Sequence, residues 1–127
     1  MNTDDREELN RLSSTVIGAA QKVSSVLGCG FLEKVYENAL AVELRNRGLR
    51  ATQQTAITIR YEEQVVGEYF ADIVVDDRLI VELKSARAFE PVHEAQCINY
   101  LRASRLPLCL LMNFARPRLD VRRIINT

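Results

Sequence analysis

The sequence has no excess of charge: its 127 residues carry 17 basic and 17 acidic side chains. Zero formal charge excludes a histone-like or ribosomal-protein-like binder, whose affinity rests on a large positive surplus. A local basic face stays open. Cysteines are few and odd in number. Cys29, Cys97 and Cys109 have no paired short spacing, which argues against a disulfide framework and against a zinc site. Reduced, mostly buried thiols in a cytoplasm are the expectation. Long apolar runs are also missing. The longest, Leu106 to Met112, is far too short for a bilayer, so no membrane association is expected. The opening Met1-Asn-Thr-Asp-Asp-Arg-Glu-Glu is acidic where a signal peptide is basic, and no leader is expected. Repeats, low-complexity stretches and Pro/Gly-rich linkers are absent, and the length suits a single domain over 1–127.

What is present is the balance of a soluble globular protein, with 47% apolar and 27% charged residues, which excludes wholesale disorder. The charge is unevenly spread. Residues 1–83 hold 9 basic and 14 acidic side chains, whereas residues 84–127 hold 8 and 3. This asymmetry reads either as two solvated surfaces or as a cation-attracting half against a phosphate-attracting half.

Hydrophobic period divides the chain. Leu9, Leu12, Val16, Ala19, Val23 and Val26 recur at helical spacing after an N-cap near Thr3 or Asp4. Gly28-Cys29-Gly30 breaks that helix. A second starts near Phe31 or Leu32, carries Leu32, Tyr36, Leu40 and Leu44 on one stripe, and ends before Gly48. The period then becomes two. Thr55–Tyr61, Val65–Val75 and Leu79–Lys84 read as strands joined by turns at Glu62-Glu63-Gln64 and Asp76-Asp77. The apolar third strand suits the middle of a sheet. Pro91 opens a helix to about Ala103. Leu108–Phe114 reads as a buried strand, and Leu119, Val121, Arg123 and Ile125 alternate in an edge strand. The order α-α-β-β-β-α-β-β implies a mixed sheet with helices packed on it, in the α/β and α+β group of folds.

Chemistry concentrates at the second and third strands. Period two puts Glu82 and Lys84 on one face of the third strand and Leu83 on the other. Asp72 interrupts apolar neighbours in the second, where aspartate is disfavoured. If paired residue numbers sum to 154, Asp72 lies opposite Glu82 and Phe70 opposite Lys84. A sum of 153, the two-residue loop, puts Asp72 opposite Val81 and away from Glu82. Two opposed carboxylates repel unless a cation lies between them. Hard oxygen donors suit Mg²⁺ or Mn²⁺. Lys84 could orient water or offset charge on a phosphate, or it could simply neutralise the carboxylates.

These residues carry a resemblance. Asp72, then nine residues, then Glu82-Leu83-Lys84 resembles the core of the PD-(D/E)XK nuclease superfamily. Gly30-x-x-Glu33-x-x-Tyr36 is similar to the GxxExxY protein family, a small-protein branch of it. Gln96-Cys97-Ile98-Asn99-Tyr100 resembles the Gln-x-x-x-Tyr of RecB-like members. The similarity spans about Val16 to Ile125, including Pro91–Gln96 and Asn113-Phe114. It implies a restriction-endonuclease-like α-β-β-β-α-β core. It implies metal binding by Asp72, Glu82 and the Leu83 carbonyl, with Glu33 completing the site, directly or through water. Lys84 takes the place of the superfamily's lysine, and Gln96 and Tyr100 act beside it. Ala71 stands where the motif's nominal proline would be.

Read by themselves, these residues have plainer roles as well. Glu33 suits a helix start. Tyr36 suits the core, and Gly30 suits a positive-φ turn. Gln96 and Tyr100 share a helical face with His93 one turn earlier, pointing either to the charged cluster or to solvent. Arg102, Arg105, Arg116, Arg118, Arg122 and Arg123 form the basic surplus, but Arg122 and Arg123 point to opposite sides of a strand, so the six cannot line one groove. No interleaved exposed aromatics offer a stacking platform. The function expected is Mg²⁺- or Mn²⁺-dependent hydrolysis of DNA or RNA. The alternatives are a catalytically silent nucleic-acid- or protein-binding module on the same fold, and an enzyme active only as a homodimer or within a larger complex.

Overall fold

A computed structural model describes residues 1–127. Two helices come first, α1 (Thr3–Leu27) and α2 (Glu33–Asn46). Three strands follow, β1 (Ala51–Tyr61), β2 (Gln64–Val75) and β3 (Leu79–Lys84). Then come α3 (Pro91–Ser104), β4 (Leu108–Asn113) and β5 (Asp120–Ile125). The strands form one sheet in chain order, β1 to β5. β1, β2 and β3 are antiparallel neighbours, β3 and β4 are parallel through the α3 crossover, and β5 returns antiparallel at the edge. This is the mixed sheet expected from the order of the elements.

The start of α1 differs in one detail. Asn2, not Thr3 or Asp4, is the N-cap, and its side chain accepts the Asp5 amide at 2.8 Å. Asn2, Thr3 and Asp4 are all capping-type residues, so sequence alone does not choose among them. The α1 stripe from Leu9 to Val23 is buried, but Val26 lies exposed beyond it. On α2, Tyr36, Leu40 and Leu44 are fully buried, while Leu32 becomes an exposed N-cap.

The sheet divides two cores. On one face Leu79, Val81, Leu83, Leu108, Leu110 and Met112 pack under α1 and α2. On the other Ile80, Cys109 and Leu111 meet Cys97, Tyr100 and Leu101 of α3. Alternate residues of β3 and β4 thus go to opposite helical layers, which is why both read as continuous apolar runs. Cys97 and Cys109 are buried free thiols and Cys29 is exposed.

Two loops fix the registers. Asp76 and Asp77 both take left-handed backbone, and Arg78 adds a third loop residue. Asp76 is stapled to β1, receiving the Arg50 amide on Oδ1 at 2.8 Å and donating its own to the Arg50 carbonyl at 2.9 Å. The pairs Ile73–Val81, Val74–Ile80 and Val75–Leu79 all sum to 154. The three-residue register that brings Asp72 and Glu82 together is the one adopted. Between β1 and β2, Gln54 also has positive φ, and it faces Asp72. Ala51, Ile73 and Val75 face α1 and α2, whereas Ile57 and Ala71 beyond this point face α3. The outer half of the β1–β2 hairpin therefore rolls over and curls toward α3.

Candidate functional site

The β2–β3 ladder stops at Ile73–Val81 because of what stands next. The Asp72 amide donates to Glu82 Oε1 at 2.9 Å, and the Leu83 amide donates to Asp72 Oδ2 at 2.8 Å. Each carboxylate takes the place of a backbone carbonyl on the opposite strand. The strands part, and the two acids are held in the gap. Phe70 does not reach Lys84: it pairs with Ala56 and is exposed, because β2 has already rolled away.

Glu82 is 3% exposed. Burial, reinforced by the Asp72 charge, pushes its carboxyl up to about 9. Burial also raises Asp72, against the opposing hydrogen bond from Leu83, and the Glu37 charge adds to the rise. Two acids side by side are thus both held reluctant to ionise, and a nearby positive charge would favour their charged forms. Leu83 donates its amide toward β2. Since N–H and C=O of one strand residue face the same neighbour, its carbonyl points toward the same gap. Lys84 is half-buried, and its ammonium has no ion-pair or hydrogen-bond partner, although its charge is felt at both Asp72 and Glu82. Burial and the Glu82 charge lift the Tyr100 phenol to about 12. Its oxygen accepts the Gln96 amide at 2.8 Å, and Tyr100 itself is buried where the Glu82 and Asp72 charges reach it. His93 is occupied elsewhere, its Nδ1 accepting the Glu90 amide in a capping box at the start of α3.

Glu33 heads α2 and reaches the Ser85 amide at 3.3 Å, just past Lys84. It does not close a cluster with Asp72 and Glu82, and no three His, Cys, Asp or Glu side chains gather closely enough to ligate a metal as they stand. The available oxygen donors are therefore Asp72, Glu82 and the Leu83 carbonyl, with Glu33 set back. The Gly30-to-Tyr36 motif explains the position of Glu33. Gly30 has φ of 105°. The Tyr36 hydroxyl donates to the Gly28 carbonyl at 2.6 Å and accepts the Phe31 amide at 3.2 Å. Tyr36 thereby pins the turn that aims α2, and its ring stacks on Phe114 at 4.8 Å.

Two residues had no role assigned from the sequence. Glu37, one turn after Glu33, is 4% exposed and takes hydrogen bonds from Lys34, Gln53 and Gln54. Gln54 also lies 3.5 Å from Asp72 Oδ1, which links Glu37 to the site. The i,i+4 spacing from Glu33 was the available signal. Asn113 is the other. Its side chain holds Ala86 at both backbone atoms and the Ala115 amide, which ties down the loop after Lys84. The basic surplus disperses as the alternation of β5 requires. Arg122 pairs with Glu94 over the Phe89 ring, Arg123 bonds Asn10 on the other side, and Arg116 bonds the Arg87 carbonyl.

A mixed sheet that parts around an Asp/Glu pair with a lysine beside it defines a class. A family model of the PD-(D/E)XK nuclease superfamily matches residues 10–124, and the chain belongs to that superfamily. Among solved structures it is similar to SSO0001, with 17% identity and TM-score 0.54 over 73% of this chain. It spans 49% of that protein, about half its length. It is also similar to an alkaline exonuclease (LHK-Exo) from Laribacter hongkongensis, with 12% identity and TM-score 0.50, covering 85% of this chain and 76% of that one. At these identities the likeness is one of fold. The comparison with curated proteins finds no match. No helix is long and apolar enough to cross a membrane.

Proposed function

We propose that the protein is a divalent-metal-dependent phosphodiesterase acting on DNA or RNA. The observation that carries this reading is the gap between β2 and β3, where the buried Glu82 and the half-buried Asp72, both with raised pKa, stand beside the unpaired Lys84. Asp72, Glu82 and the Leu83 carbonyl would hold Mg²⁺ or Mn²⁺, with Glu33 contributing through water. The cation would polarise the phosphate and lower the pKa of water. Lys84 would hold the attacking water or offset charge on the phosphate, and Gln96 and Tyr100 would orient it. Within the superfamily we assign the chain to the GxxExxY group on the Gly30–Glu33–Tyr36 turn. The Gln96–Tyr100 pair supports a RecB-like site. Three free thiols suit a reducing compartment such as the cytoplasm.

The test is cleavage of labelled single- and double-stranded DNA and RNA with Mg²⁺ or Mn²⁺. Cleavage should vanish in EDTA and fall at least about 100-fold in Lys84→Ala, the scale of losing a group that acts in the transition state. Equal cleavage by wild type and Lys84→Ala would mark a contaminant and end the catalytic reading. One observation favours a second reading, a silent binding module: both carboxylates already satisfy strand amides, so the gap is structurally sound without catalysis.

A further inference from the structure

Beside the carboxylate gap lies a groove of about 870 Å³, lined by the outer half of β1 and the last turn of α3. It exists because the hairpin rolls at Gln54 and curls toward α3. Arg60 comes from β1, Tyr69 from β2, and Asn99, Arg102 and Arg105 from α3 and its cap. All three arginines are exposed, and none forms an ion pair or a side-chain hydrogen bond. Elsewhere Arg47, Arg50, Arg78 and Arg122 are each paired with an acid. Three arginines without acid partners are thus brought together in one concavity, drawn from both halves of a chain whose total charge is zero. Glu68 alternates to the opposite face of β2 from Tyr69.

Tyr69 is 51% exposed and lies against Tyr100, ring centroids 5.7 Å apart. Tyr100 in turn accepts a hydrogen bond from Gln96. A pair of touching tyrosines thus links groove and carboxylates: Tyr69 lines the groove, and the Tyr100 phenol feels the Glu82 and Asp72 charges. This corrects the expectation that no stacking platform exists: Tyr69 alternates within an ordinary strand, and only the roll of the hairpin brings it beside the arginines. Positive charge along a groove, with an exposed aromatic face, is the general chemistry of single-strand binding. The volume is in the range of small-ligand sites, about 300–1,000 Å³. A stacking aromatic needs an unstacked base, which a single strand offers and a duplex does not.

We propose that this groove is a single-stranded nucleic-acid site that leads into the carboxylate gap, with Arg60, Arg102 and Arg105 on phosphates and Tyr69 stacked on a base. Its purpose rests on the nuclease reading above, but its occupancy does not require cleavage.

The test is fluorescence anisotropy in EDTA, where hydrolysis is off, with short labelled oligothymidylate, oligouridylate and a duplex. Wild type should bind single strands more tightly than duplex. Tyr69→Ala should weaken single-strand binding about 5- to 100-fold, whereas Tyr69→Phe should retain it. Arg60→Gln with Arg102→Gln should make the slope of log affinity against log salt shallower by about 1.4, or ~0.7 for each phosphate left without its arginine. All these positions are exposed, and circular dichroism would confirm that each variant folds. Failure of wild type to bind either oligomer would overturn the proposal. So would equal or tighter duplex binding, or groove variants with wild-type affinity and salt slope. Normal single-strand binding without cleavage in Mg²⁺ or Mn²⁺ would sink the nuclease reading and leave the groove standing.

Discussion

Tyr36 shows how much of the local architecture can hang on one hydroxyl. It is fully buried and bonds both Gly28 and Phe31, fixing the turn that places Glu33 beside Ser85. Tyr36→Phe keeps the ring and its stacking on Phe114 but strands a carbonyl and an amide. It should cost about 1–3 kcal/mol of stability, measurable by urea denaturation. A cost near zero would mean that the turn is held by its glycines alone. At this scale the sequence was partly legible. Asp72, Glu82 and Lys84 stand out because charged residues in an apolar strand need partners. Glu37 did not, because a glutamate beside an apolar helical stripe looks like any solvated acid. Only the approach of Gln53 and Gln54 from β1 buries it.

Among the elements, the hairpin turns carry the cost of the architecture. Glu62 and Glu63 both have positive φ, at 48° and 67°, in a two-residue loop between Tyr61 and Gln64. Such loops favour Asn-Gly, since left-handed backbone is unfavourable for other residues. The double change Glu62→Asn, Glu63→Gly should stabilise the protein by about 1–2 kcal/mol, seen as a rise in Tm with unchanged spectroscopic signatures. Periodicity revealed every helix and strand, but it began β1 at Thr55 instead of Ala51. The reason is the left-handed Gln54, which breaks the alternation between Ala51 and Ile57. The β2–β3 register hinged on whether Arg78 belongs to the loop. Turn chemistry at Asp76-Asp77 could not decide that, and the staple of Asp76 to Arg50 does.

For the molecule as a whole, Glu82 links protonation to stability and, on the proposed function, to cation binding. Glu82 rises from its ordinary 4.5 to about 9 on folding, so the folded state holds its proton more tightly. Without a cation, this contribution to stability is full below pH 4.5 and is lost as pH climbs toward 9. Thermal melts in EDTA should therefore show Tm falling across that window, and Glu82→Gln should flatten the trend. A Tm independent of pH in the wild type would contradict the burial of an ionisable Glu82. Because the acid must lose its proton to ligate, Mg²⁺ affinity by calorimetry should tighten about tenfold per pH unit between neutrality and pH 9. The zero net charge visible in the sequence concealed this arrangement: Asp72 and Glu82 together at the strand gap, and Arg60, Arg102 and Arg105 together in the groove.

The exchange of carboxylates for carbonyls between β2 and β3 bears on what a chain without the proposed activity would keep. Asp72 and Glu82 each close the sheet by taking an amide that otherwise lies orphaned in the interior. Their presence has value to folding alone, and an inactive descendant would lose stability by discarding them. Lys84 closes nothing, so it is the residue that such a descendant is free to lose. The lysine, more than the acids, is therefore the diagnostic position of this site. Substitutions that test the acids should preserve an acceptor, as Asp72→Asn does, so that lost chemistry is not confused with a broken strand.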